Sequence, residues 1–460
     1  MSKIMDDVQK DVIEMENLLE TDSLPTVRHE YEEVEYNGEI LKLYPLDYQK
    51  APIVRYQIAA CLLMFIVFGM NDQSNGSLLP TLMSHYNVSR MKVANLFLMQ
   101  VSGYTLASLM TEKVHTLIGT RGAMALASFL CVIFFSILSL KPPNFLSYLL
   151  CFLPLGLSIG ILDSTGNVLF GNLEINKNEW MGILHGLYGA AAMITPPAVS
   201  YFVTYGNWSS FFLLPLACSI LGLLLMLYAF RYETANKYNY ICFVAREGKD
   251  DEQQPGFLKL LRKPAIMMYA LYLFMYLGSE VSTGSWMFTY LLEVKHGEMV
   301  PMSYVTSSFW IGLTVGRLVL GFVTKRFFKN EYRASVFYGN LTWFFYTLFL
   351  LIGLVQKNSV PYFFVLSVSI FFAGVFIGPL FPNASVVALQ ILPRNLHVSG
   401  VGMAVALGGC GAAVMPYATG LVTHLIGLSW FPFLCWIMVT IVNAIWLAYP
   451  KFVGGQEEYL

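Results

Sequence analysis

Runs of about 20 mostly apolar residues recur along this sequence, each long enough to cross a bilayer as a helix. No other feature limits the fold so tightly, because in hydrocarbon every backbone N–H and C=O must find its partner inside the protein. Hydrophobic residues make up 56% of the 460 residues and charged residues 12%, about half the charge of a soluble domain. The apolar runs fall at 53–79, 91–113, 122–141, 145–170, 181–204 and 209–230, then at 264–291, 302–323, 333–355, 361–390, 398–426 and 429–449. The expectation is an all-α membrane protein of twelve transmembrane helices in a 6+6 arrangement. One bundle occupies 53–230, a charged linker 231–263 and a second bundle 264–450. Residues 1–52 read as a polar, largely disordered cytosolic tail with no cleavable signal peptide, and 451–460 as a short second tail.

Lys and Arg set the orientation. With both ends and the linker on one face, that face carries most of them, including Lys50, Arg55, Lys113, Arg121, Lys177, Lys325, Arg326 and Arg333. The opposite face carries Arg90, Lys92, Lys141, Lys295 and Lys357. Both termini are therefore expected in the cytosol, and the sequons at Asn87 and Asn207 on the other side, whose use the sequence leaves open. Six of the seven cysteines lie inside apolar runs without metal-ligand or disulfide spacing, so they read as small core residues. No metal or cofactor is expected. A net charge of −1 gives no reason to expect a nucleic-acid partner.

Acidic residues deep in the apolar runs carry the functional argument, because an intramembrane carboxylate is costly and is seldom kept without a role. There are three: Asp72, Asp163 and Glu280. Asp72 sits among polar neighbours in GMNDQSNGS, with Asn71 beside it. It reads either as a solute-binding or protonatable group on a cavity, or as a carboxylate satisfied by neighbouring helices. Asp163 is four residues from Asn167, on one helix face. Together they suit a hydroxylated solute, or else lock the helix through a shared hydrogen bond. Glu280 reads as a proton-coupling carboxyl or as the ion-pair partner of Arg317 in the next run. The estimated span depths put Arg317 nearer the cytosol than Glu280, which speaks against that pair. His185 is either a cavity residue or a satisfied core histidine. Trp286, Tyr188 and Trp343 are candidates to stack on a sugar ring.

Asp72 and Glu280 are each followed at four and five residues by glycine and serine, Gly76–Ser77 and Gly284–Ser285. Gly156-x-x-x-Gly160 in the fourth run has a counterpart in Gly374-x-x-x-Gly378 in the tenth. Matched features of this kind suggest two repeats that rock about a central site. Arg317, with Gly316, Gly321 and the Lys325–Arg326 end of its helix, reads as a gating or structural element, as does Arg121 in the turn after the second run.

A twelve-span chain divided six and six by a charged linker resembles the major facilitator superfamily. GTRGAM (Gly119 to Met124) is similar to a degenerate copy of that superfamily's basic loop, without its usual Asp, and GRLVLGFVTKR (Gly316 to Arg326) is its counterpart in the second half. Within the superfamily the chain resembles the fucose–proton symporter branch, most closely its fungal members. GMNDQSNGSLLP, GYTLAS (Gly103 to Ser108), GILDSTGN, GLTVGRLVLG and GPLFPNA carry that likeness. The resemblance implies the pseudo-symmetric major facilitator fold and assigns sugar recognition and proton coupling to Asp72 and Asp163. Asp163 stands where the branch commonly has Glu, and Asn167 matches the Asn that follows it.

The function expected from these readings is secondary active transport of a small polar solute, sugar-like, by alternating access and coupled to protons. The partners would be the solute, H+ and the lipid bilayer, with the protein acting as a monomer. A non-transporting sensor or receptor on the same fold is the alternative, and the short C-terminal tail argues against it. No nucleophile with a nearby base is evident and no G-x-x-x-x-G-K-[ST] occurs, so neither an enzyme nor an ATP-driven pump is expected. Glu14 to Leu19 fits an acidic dileucine sorting pattern, which leaves the plasma membrane and the vacuolar membrane as candidate locations.

Overall fold

The computed structural model describes residues 31–247, 263–392 and 400–453. Twelve helical crossings account for almost all of them. The first six are Pro52–Tyr86, the two halves of Asn95–Ser139, Phe145–Gly171, Lys177–Tyr205 and Trp208–Ala229. The second six are Pro264–Glu293, Met299–Phe327, Glu331–Leu354, Val360–Ile391, Gly402–Ile426 and Leu428–Ala448. The helices overrun the apolar stretches of the sequence by several residues at many ends, because a helix continues through the interface once its backbone is paired. The second and third spans form one helix broken only at Gly119, where φ is +71°. That left-handed conformation is costly for any residue with a Cβ. A side chain there would also strike the backbone of Thr234 and Ala235.

The spans pack as two like bundles. In the first half, the first span lies on the fifth and sixth, and the second on the fourth. In the second half, the seventh lies on the eleventh and twelfth, and the eighth on the tenth. Glycines make the tightest of these crossings. A Cβ at Gly156 would overlap the Gln100 carbonyl oxygen, and one at Gly312 would overlap that of Phe371. These are equivalent crossings, second on fourth and eighth on tenth. With no hydrophobic driving force in lipid, such close backbone approach supplies the packing energy. Gly156→Leu is therefore expected to prevent assembly of the folded protein, whereas Gly182→Ala, with nothing within 4 Å of its Cβ position, should be tolerated. Monodispersity and thermal unfolding in detergent check both variants.

Two features stand outside the expected plan. Residues 32–43 form an antiparallel hairpin, β1 (Glu32–Tyr36) and β2 (Glu39–Leu43), instead of continuing a structureless tail. Asn37 and Gly38 turn it with φ of 51° and 77°, the positive angles that a two-residue hairpin turn requires. The linker, in turn, contains the helix Ala235–Glu247. The two elements dock together: Tyr36 meets Tyr240 edge-to-face and lies tilted beside Phe243, Asn236 donates to Glu39, and Leu41 is buried. Farther on, Asn176 donates to the Tyr48 hydroxyl and the Glu174 N–H to the Leu46 carbonyl. The hairpin segment thus straps the loops of the first bundle on the face that carries the linker, called here the linker side.

The halves meet along the first and seventh, fifth and eighth, and eleventh and second spans. Contacts on the side opposite the linker are close. Gln73 donates to the Gly284 carbonyl (3.2 Å) and Ser307 to that of Met193 (2.8 Å). Gly76 lies against the Ser285 backbone, and Arg90 forms an ion pair with Glu293. Toward the linker side the halves part. Gly182 and Gly186 on the fifth span, Gly321 on the eighth and Gly409 on the eleventh all face open space. Among the described residues the groove between the bundles is closed at one end and open at the other.

Candidate functional site

The closed end of that groove is polar. Asp72, a little past the middle of the first span, accepts three hydrogen bonds: from Gln100 Nε2 (2.7 Å), Asn71 Nδ2 (3.2 Å) and the Tyr188 hydroxyl (3.0 Å). Gln100 Oε1 in turn accepts from Asn71 Nδ2 and Asn75 Nδ2 (3.1 and 2.6 Å). An amide that gives to one residue and takes from two others has its orientation fixed. Three donors on one carboxylate make a site that distinguishes sharply between a charged and a neutral occupant.

Asp163, on the fourth span, receives the Tyr104 hydroxyl (2.6 Å) and Asn167 Nδ2 (2.9 Å). The same amide also donates to the Asp163 carbonyl (2.9 Å). Both Asn167 Nδ2 bonds are therefore within its own helix, the helix-locking arrangement, and its oxygen accepts no hydrogen bond among the described residues. Gln100 and Tyr104 are one turn apart on the second span. That helix therefore carries the partners of both acids and holds them in one field, where each is within electrostatic reach of the other.

In the second bundle, Glu280 and Arg317 are bonded to each other. Arg317 Nη2 lies 3.0 and 2.9 Å from the two carboxylate oxygens and 3.5 Å from the Tyr276 hydroxyl. The expectation from span depth was wrong here. A guanidinium on a flexible stem reaches several ångströms along the helix axis, as snorkelling side chains do, and this closes the offset between the two Cα levels. Glu280 is deeply buried, while Arg317 keeps 28% of its side-chain surface. Arg317 also acts electrostatically on Tyr188 and His185 across the groove. The chain of polar contacts thus runs Asn75–Gln100–Asp72–Tyr188 in one bundle and faces Arg317–Glu280–Tyr276 in the other.

His185 faces the groove with its ring edge on Phe65, at 5.7 Å between centroids. It makes no hydrogen bond among the described residues. Gly316 is a packing glycine, with its Cα against the Val375 carbonyl of the tenth span, while Gly321 faces open space. Arg121 lies away from the groove. Its backbone N–H donates to the Glu233 carbonyl and its guanidinium to that of Arg231, which fastens the turn after the second span to the start of the linker. Of the three aromatics considered for stacking, Trp286 is fully buried and donates to the Pro416 carbonyl. Trp343 bonds Thr440 between the ninth and twelfth spans. Only Tyr188 is at the site, and it acts there through its hydroxyl.

The sequence reading did not single out Gln100, Asn75 or the hydroxyl of Tyr104, though each left a trace. Gln100 is a lone amide in LFLMQVSGY, and Asn75 and Tyr104 lie within motifs that carry the family resemblance. The dileucine residues Leu18 and Leu19 lie outside the described residues, as do the linker residues 248–262.

Comparison with known proteins agrees with this architecture. The Major Facilitator Superfamily family model matches residues 61–345. The chain is 54% identical to "Bypass of stop codon protein 6" of Saccharomyces cerevisiae, covering 97% of this chain and 95% of that protein. It is 24% identical to "Glucose/mannose transporter GlcP" of Bacillus subtilis, over 58% of this chain and 66% of that one. Among solved structures, a D-xylose-proton symporter superimposes with a TM-score of 0.67 at 12% identity, covering 88% of this chain and 99% of the other.

Proposed function

The chain belongs to the Major Facilitator Superfamily, and from that membership we propose that this multi-pass membrane protein is a secondary active transporter that couples a small hydroxylated solute to protons. The observation that carries the proposal is the pair of hydrogen-bonded carboxylates held by the second span, Asp72 by the closed end of the groove and Asp163 nearer its open end. Alternating access needs such a site at the meeting line of two repeats. Coupling needs a group there whose charge changes during the cycle. Protonation of Asp72 would weaken its hold on Gln100 and Tyr188, and Tyr188 faces the Arg317–Glu280 pair across the groove. A charge change in one bundle is then felt at the surface of the other. Opening the far side would require separating Arg90 from Glu293 and Gln73 from Gly284.

A sugar is the leading solute class. The names of the bacterial relative and of the similar solved structure point to hexoses and a pentose, and the amide-rich wall of Asn71, Asn75 and Gln100 suits hydroxyl groups. The protein would work as a monomer, not an enzyme, with both termini in the cytosol, in the plasma or vacuolar membrane. The test is flux in proteoliposomes. With an imposed proton gradient, labelled D-glucose, D-mannose or D-xylose should accumulate uphill, and a protonophore should collapse the accumulation. Solute binding without any flux would favour a non-transporting sensor on the same fold.

A further inference from the structure

On the eighth span, Trp310, Thr314 and Arg317 lie at i, i+4 and i+7, so they form one stripe of the helix. The stripe faces the groove. Trp310 covers Gly284 of the seventh span, Thr314 meets Gly189 of the fifth, and Arg317 reaches Glu280. Trp310 is 4% exposed, and among the described residues neither its Nε1–H nor the buried Thr314 hydroxyl has a partner. Arg317 bonds through Nη2 alone, so among the described residues its Nε–Nη1 edge is open. Buried polar groups are nearly always paired, and leaving a donor unmet is costly. Two such groups on one stripe, beside an open guanidinium edge, point to a polar ligand between the bundles. The opposite wall has the complementary deficit. Its buried unpaired atoms are the acceptors Asn71 Oδ1 and Asn75 Oδ1, next to the Asp72 carboxylate.

We propose that Trp310, Thr314 and Arg317 form the donor wall of the solute site and take the ring and hydroxyl oxygens of a neutral polyhydroxylated solute, whose hydroxyl protons go to Asn71, Asn75 and Asp72. Neutrality follows from charge and hydrogen-bond complementarity together. Glu280 already balances Arg317, so a solute carboxylate would bring a second anion to one guanidinium while facing two aspartates. A solute ammonium would be drawn to the aspartates, but on the opposite wall it would turn donors toward the donor-only Trp310 Nε1–H and Arg317 guanidinium. The proposal rests on the transporter reading above and assigns it a solute class and a second set of binding residues.

The test is a thermal-shift titration of purified protein with D-glucose, D-mannose and D-xylose, and with D-glucuronate and D-glucosamine, in wild type, Trp310→Phe and Thr314→Val. Each removes an unpaired polar atom; Thr314→Val keeps the shape, whereas Trp310→Phe also leaves part of the indole volume empty. Without solute Thr314→Val should unfold at the same temperature as wild type or higher, and Trp310→Phe somewhat lower for the cavity it leaves. Each should nonetheless weaken binding of the neutral sugar by about tenfold, the effect of one lost hydrogen bond to solute. In Thr314→Val a structural role would move both readouts the same way. Neutral-sugar binding unchanged in both variants overturns the donor wall and leaves the transporter reading standing. Preference for the uronate or the amine overturns the neutral class. Absence of binding by every neutral sugar overturns the donor wall and the sugar reading together.

Discussion

Asp72→Asn is expected to abolish uphill accumulation while leaving downhill exchange of the same solute measurable. The amide has the carboxylate's shape but cannot change charge, so the site stays filled and only the coupling is lost. Solute exchange between equal concentrations needs no net proton movement and reports whether the variant still binds and rocks. In proteoliposomes the accumulation ratio under a proton gradient should fall to about one, the value for a carrier with no coupling free energy. Asp72 accepts three donors, so the amide will oppose one donor with another. That costs about 1–2 kcal/mol of local stability, which is too little to unfold a protein of this size. Full uphill accumulation in Asp72→Asn would remove this residue from the coupling mechanism, and loss of exchange as well as accumulation would mark it as structural.

The second large effect concerns Glu280 and Arg317, and it is asymmetric. Breaking a buried pair by removing one partner costs about 3–5 kcal/mol, because the remaining charge is uncompensated. Arg317→Gln leaves Glu280, whose side chain is 6% exposed, whereas Glu280→Gln leaves Arg317, which is 28% exposed. The first variant should lose close to the full amount and the second clearly less, since a partly accessible guanidinium can be solvated by the groove. The double variant, with no net charge to bury, should recover most of the loss of Arg317→Gln. Thermal unfolding of all four proteins gives the coupling energy by a double-mutant cycle. Single variants that each lose under about 1 kcal/mol would show that the pair is too wet to organise the second bundle.

How much of this was legible depended on the range of the interaction. Asp72, Asp163 and Glu280 announced themselves because a carboxylate in an apolar run is conspicuous whatever surrounds it. The Asp163–Asn167 bond was legible because four residues of helix bring two side chains together. The Asn37–Gly38 turn between alternating residues was written just as locally, but the acidic composition around it masked the hairpin. Tyr188 read as one aromatic among many, since nothing near it in sequence reveals that its hydroxyl ends at Asp72, 116 residues away. The Glu280–Arg317 pair was misjudged because spacing along a helix gives the depth of a Cα and not the reach of a side chain.

The sequence by itself determined that the chain crosses the membrane repeatedly as helices, that it is built of two related halves, and which acids are buried among them. Those outcomes follow from hydrophobic length and local charge, which every segment carries with it. Only the tertiary structure decided that Gln100 and Tyr104 hold the two aspartates from a third helix. The same is true of the pairing of Arg317 with Glu280, and of which end of the groove is shut. These are contacts between helices remote in sequence. They are set by how closely Gly156, Gly312 and their like let backbones approach, and that geometry exists only once the helices have packed.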